Sequence, residues 1–157
     1  MGLPEFKFQD LNGNMASVPL VEESAKRKLP KTALAKIDPT LNPKLAAAAT
    51  IAQERAAARS KSKCWRYVKQ ALLAAGAVDS YPKTALAKQA GDELVNDYGF
   101  KKLPVTDPYA APVGAVLVYT AKRAPGHVEI RTATGFVSDF KTDKPSKRKL
   151  IGVYAKA

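Results

Sequence analysis

One cysteine and one histidine are all that the 157-residue chain holds of the two side chains most used in nucleophilic and base catalysis. A single cysteine excludes an internal disulfide, so the fold must stand on its core. A chain of this length can bury one as a single domain. No run of about 18 apolar residues occurs, so no segment is expected to span a membrane. Met1 to Phe8 lack the apolar centre of a signal peptide. Acidic residues are scarce as well. Fourteen Asp and Glu stand against 26 Lys and Arg, a formal net charge of +12. That excess suits a polyanionic partner, for which nucleic acid, anionic lipid head groups and an acidic cell-wall polymer all qualify. Its bland alternative is solubility alone. No helix-turn-helix, zinc-finger or RNA-binding sheet motif is visible, so nucleic acid is not the expected partner.

What the chain does have is a change of texture along its length. Residues 1–43 carry five prolines, Pro4, Pro19, Pro30, Pro39 and Pro43. They read as a largely irregular extension with one extended segment, ahead of a domain at 44–157. The hexapeptide at Lys31–Lys36 recurs at Lys83–Lys88, but two short copies do not make a repeat architecture. Pro43 suits a first helical position, and Ala-rich residues 44–59 predict a helix with Leu45, Ala48, Ala49, Ile51 and Ala52 on one face. Ser62 is placed to cap a second helix, Cys64 to Ala75, which Gly76 ends. A third helix is expected from about Thr84 to Tyr98. Strands are expected at 113–119, 127–131, 135–140 and 150–154, the middle two forming a hairpin. Helices first and antiparallel strands second argue an α+β fold.

With one Cys and one His there is only one candidate nucleophile–base pair. Cys64 falls at a helix start, where backbone N–H groups favour negative charge, and Lys61, Lys63 and Arg66 surround it. Its alternative is a buried structural thiol. His127 opens a strand after a Pro-Gly turn, at the mouth of a sheet. Along that strand His127, Glu129 and Arg131 share one face, Val128 and Ile130 the other. A third residue must orient the imidazole. Asp139 and Ser138 on the partner strand are candidates. Glu129 is another, although two places along one strand is usually too far. Trp65 and Tyr67 either line the cleft or pack in the core.

Four segments together resemble the CHAP and NlpC-type hydrolases: Cys64-Trp-Arg-Tyr-Val68, Pro112-Val-Gly-Ala-Val-Leu-Val-Tyr119, Gly126-His-Val-Glu-Ile130 and Phe136-Val-Ser-Asp-Phe140. These are papain-like cysteine amidases and peptidases of bacterial peptidoglycan. The resemblance covers about residues 60–157. It implies a papain-like domain, with helices packed on a small antiparallel sheet, that cuts an amide bond of peptidoglycan with Cys64 and His127. It also implies a secreted or periplasmic location, while the net charge of +12 suits an anionic wall polymer or membrane surface as a further partner. Ala115 stands where many members carry Asp, and Asp139 falls near the Glu of some. No cofactor is implied, and no zinc-ligand spacing occurs. An inactive wall-binding member of the same fold is the chief alternative, and a basic nucleic-acid-binding protein the lesser one.

Parity decides between Asp139 and Ser138. A three-residue hairpin loop Ala133-Thr134-Gly135, with Gly135 at positive φ, puts Asp139 on the face of His127. A loop of even length would put Ser138 there instead. The expected site is therefore Cys64, His127 and Asp139.

Overall fold

The structure is a computed structural model that describes residues 34–157 and the backbone of two short N-terminal strands. The chain divides into two compact units, Met1–Thr32 and Ala33–Ala157. In the first, β1 (Lys7–Gln9) and β2 (Met15–Ser17) pair antiparallel, Phe8 opposite Ala16. The rest of the proline-rich reading of residues 1–33 lies outside the described residues. The second unit takes in residues 34–43, which were expected to belong to the extension. Backbone bonds join them to it: Ala35 N–H to Ala133 O (2.9 Å), Val113 N–H to Lys36 O (3.0 Å) and Asn42 N–H to Lys156 O (2.8 Å).

Helix α1 (Pro43–Arg55) starts where proline fits, with the Asn42 side chain accepting from Lys44 N–H. It stops at Arg55 rather than 59, because Ala57 turns to bridge Phe140. Leu45, Ala48, Ala49 and Ala52 are its buried face. Helix α2 (Cys64–Ala74) buries Trp65, Val68, Ala71 and Leu72. It ends as expected at left-handed Gly76, with Gly76 N–H on Leu73 O and Ala77 N–H on Leu72 O. Helix α3 (Ala90–Tyr98) is shorter than expected. The Glu93 carboxylate accepts from the backbone N–H groups of Lys83 and Thr84, which holds residues before the helix extended.

The remaining strands are β3 (Lys101–Leu103), β4 (Val116–Tyr119), β5 (His127–Arg131), β6 (Phe136–Val137), β7 (Lys141–Thr142) and β8 (Leu150–Ala155). They form one antiparallel sheet in the order β3-β8-β4-β5-β6-β7. β3 and β7, at its two edges, had no sequence signal beyond their neighbours. With α1 and α2 packed on β5, this is the α+β, papain-like arrangement expected. β4 is buried along its whole length, and so is β5 after His127. The register sets Val116 and Val118 with Ile130 and Val128 on one face, and Leu117 and Tyr119 with Glu129 and His127 on the other. The second face is therefore a buried polar layer, not a solvated one.

Val113 does not start a strand, because the chain turns at Gly114 (φ 90°). A Cβ on Gly114 would lie 2.5 Å from the backbone carbon of Leu45. The glycine lets α1 approach the sheet closely. Gly114→Ala should destabilise the domain by about 2–4 kcal/mol, measured by urea unfolding, since it adds both left-handed strain and a backbone clash.

Candidate active site

Cys64 owes its position to a carboxylate far along the chain. The segment before α2 has no side-chain cap of its own. Ser62, expected to cap it, instead sits at φ 58°. The fully buried Asp139 supplies the acceptor: Oδ2 takes Lys61 N–H at 2.6 Å and Lys63 N–H at 3.2 Å. Ser138 Oγ donates to Oδ1 at 3.1 Å, and the Asp139 carbonyl takes Ala57 N–H at 2.7 Å. The loop is thereby folded so that Cys64 is the first residue of the helix. Its backbone N–H has no acceptor within the helix.

His127 faces Cys64 from the first residue of β5, and each side chain shifts the titration of the other. The imidazole Nε2 lies 3.0 Å from Glu129 Oε1. That contact leaves Nδ1 for the sulfur. Glu129 is buried, and Oε2 accepts from the Tyr119 hydroxyl at 2.7 Å and from Ser146 N–H at 3.3 Å. The Tyr119 ring also lies against the imidazole, 5.9 Å between centroids. Arg131 ends the row, donating to the carbonyls of Gly135 and Tyr109 and lying over the Phe136 ring.

Charge follows from these contacts. Burial pushes the Cys64 thiol up, but the bond to His127, the imidazolium charge and the N–H groups of Val128 and Trp65 together hold it below its ordinary value. Burial opposes charge on His127 too, yet its bonds to Cys64 and Glu129 raise it to about 9. Each partner favours the charged form of the other, which shifts the pair toward thiolate and imidazolium. Burial and the Glu129 carboxylate push the Tyr119 phenol far above its ordinary value, which keeps it a donor. Lys61, Lys63 and Arg66, expected to lower the thiol, are exposed and are not what shifts it.

Cys64 and His127 thus meet, but Asp139 does not join them, and neither does Ser138. The connection between β5 and β6 is one residue longer than expected. Ile130 pairs with Val137 and Arg131 with Phe136, so residues 132–135 form a four-residue loop closed by Thr132 N–H to Gly135 O. Gly135 is there for closeness rather than positive φ: a Cβ would lie 2.2 Å from the Thr142 carbonyl oxygen. Strand β6 ends at Val137, and residues 138–140 are the turn into β7, so the pairing does not carry Asp139 along β5; its carboxylate takes the backbone of Lys61 and Lys63 instead. Glu129 takes the place at the imidazole because a strand side chain leans along the strand, and a glutamate is long enough to reach back two residues. The shared face of His127 and Glu129 was the available signal. Trp65 is core, its indole N–H on Thr84, while Tyr67 is half-buried.

A cavity of about 430 Å³ opens beside His127 and Glu129, closed on its far side by residues 144–148. A larger apolar cavity of about 630 Å³, lined by Leu34, Ile37 and Tyr109, contains neither Cys64 nor His127. Among the described residues no three His, Cys, Asp or Glu side chains gather as a metal-ligand set.

His127 should titrate near 9 by NMR. The stability that its protonation contributes is then complete below its unfolded value near 6.5 and lost as pH rises through about 9. Glu129→Gln should lower the His127 midpoint by about one to two units. Asp139→Asn should leave that midpoint in place and cost about 2 kcal/mol of stability, because it weakens the buried acceptor of two backbone N–H groups.

No protein-family model matches the chain, and no curated protein matches it. Two solved structures do. One is a chain of the crystal structure of the type VI native effector–immunity complex Tae3–Tai3 from Ralstonia pickettii. It has 24% identity and a TM-score of 0.60, over 72% of this chain and 98% of that one. The other is the selenomethionine form of the same complex, with 24% identity and a TM-score of 0.53, over 70% of this chain and 97% of that one. At that identity the likeness is one of fold.

Proposed function

We propose that the chain is a peptidoglycan hydrolase that cuts an amide bond, as amidase or endopeptidase, with Cys64 as nucleophile and His127 as its proton partner. The observation that carries this reading is the Cys64 thiol at a helix start, beside an imidazole that a buried carboxylate holds. A structural cysteine needs neither partner. Glu129, rather than Asp139, is the positioning residue for the imidazole, and Asp139 shapes the loop that presents the thiol.

With His127 holding the proton, the Cys64 thiolate attacks the amide carbonyl. The Cys64 backbone N–H is the proposed donor to the oxyanion. As the tetrahedral species collapses, the C–N bond breaks and the imidazolium proton passes to the leaving amine. Neutral His127 then takes a proton from water as it attacks the thioester, which releases the acid and restores the ion pair. The resemblance of the sequence to CHAP and NlpC-type enzymes supports peptidoglycan as substrate. The fold shared with a type VI effector–immunity complex favours an effector that acts on a wall in the periplasm and is held in check by an immunity partner. Among the described residues no helix is long and apolar enough to cross a membrane.

Purified peptidoglycan incubated with the chain should yield new termini, and their mass identifies the bond. Cys64→Ala should lower the rate by at least about 1,000-fold with an unchanged thermal melt. Hydrolysis should persist through neutral pH and fall as pH rises past about 9, where His127 loses the proton owed to the leaving amine. Full activity in the alanine variant would overturn the reading.

A further inference from the structure

The loop between β7 and β8 carries Lys144, Lys147, Arg148 and Lys149, and it walls the cavity beside His127. A run of cations is ordinarily a solvated face. Here the backbone that bears it is fixed at three points. At one end Thr142 Oγ1 donates to Lys144 O (3.0 Å) and accepts from Lys144 N–H (3.1 Å). At the other, Thr120 N–H bonds Lys149 O at 2.9 Å. In the middle Ser146 N–H rests on Glu129 Oε2, the carboxylate that holds the imidazole. Ser146 Oγ in turn accepts from Arg148 N–H at 3.3 Å, and Pro145 stiffens the bend.

Lys144, Lys147 and Arg148 all line the cavity, and among the described residues no carboxylate forms an ion pair with any of them. The only acid on that wall, Glu129, is buried and already accepts three hydrogen bonds. We propose that this loop is a carboxylate-binding wall: Lys144, Lys147 and Arg148 seat an anionic group of a peptide substrate while its scissile amide lies at Cys64. The proposal rests on reading Cys64 and His127 as a hydrolytic pair and assigns that pair a preference for acidic peptides. Lys144, Lys147 and Arg148 are solvent-exposed, so salt screens them, but ordering the loop in advance lowers the entropy lost on binding.

Two alkylating agents of one size and opposite character test this without any peptide. Iodoacetate is anionic and iodoacetamide neutral, and both transfer their carbon to the Cys64 sulfur with loss of iodide. At low salt, Lys144→Gln/Lys147→Gln/Arg148→Gln should lower the iodoacetate-to-iodoacetamide rate ratio about fivefold, and Lys147→Gln or Arg148→Gln alone about twofold. Removing equal charge away from the cleft, in Lys44→Gln/Lys101→Gln/Lys102→Gln, should leave the ratio at the wild-type value. A second arm compares wall peptides bearing a free carboxylate with their carboxamides. The wild type should favour the acid at least about tenfold in kcat/KM, through KM, and the loop variant should lose that preference. If neither peptide is cut by the wild type, the hydrolase reading fails while the alkylation ratio still decides the wall. An unchanged ratio in the loop variants overturns the wall even where hydrolysis persists.

Discussion

A buried carboxylate, Glu129, ties together the parts of the site that come from different elements. One oxygen holds the imidazole of His127, and the other accepts from Tyr119 on the neighbouring strand and from the backbone of Ser146 on the basic loop. Such a group is expensive to bury without partners, and three donors satisfy it. Its charge is then free to act on His127, which it helps to keep protonated in a place where burial alone would neutralise it. The imidazolium lowers the Cys64 thiol in turn, so part of that shift traces back to the glutamate.

A second buried carboxylate does different work. Asp139 gathers the backbone N–H groups of Lys61 and Lys63, in a loop with no local cap, and so fixes where α2 begins. The two acids lie on neighbouring segments and share none of these partners. One sets the electronic state of the pair and the other sets its geometry. Replacing either by a residue of the same shape without charge separates the two contributions, because one is read in titration and the other in unfolding.

The cationic excess of the chain takes on a more local meaning beside this site. Spread over an exposed surface, positive charge acts weakly and over roughly a Debye length. Concentrated on a loop pinned to Glu129, it borders the cavity beside His127, although the side chains themselves are exposed. The loop and the His127 imidazole share Glu129 as an anchor.

Much of this was legible in the sequence. The lone cysteine at a helix start, the lone histidine opening a strand and the turn from Ala-rich helices to β-rich strands are local features, and local propensity and periodicity decide them. The α+β arrangement followed from their order. The choice between Glu129 and Asp139 did not, because the hairpin reading carried its second strand through Asp139, whereas β6 ends at Val137 and residues 138–140 turn into β7. In that turn the Asp139 carboxylate takes backbone N–H groups of a distant loop, contacts that no local pattern records. The same holds for the start of α2, where an acceptor more than seventy residues away replaces the expected serine cap. What the sequence by itself determined was which residues could do chemistry and on which elements they lie. Which carboxylate meets the imidazole was decided only by the tertiary structure, because it depends on which distant backbone each carboxylate can reach.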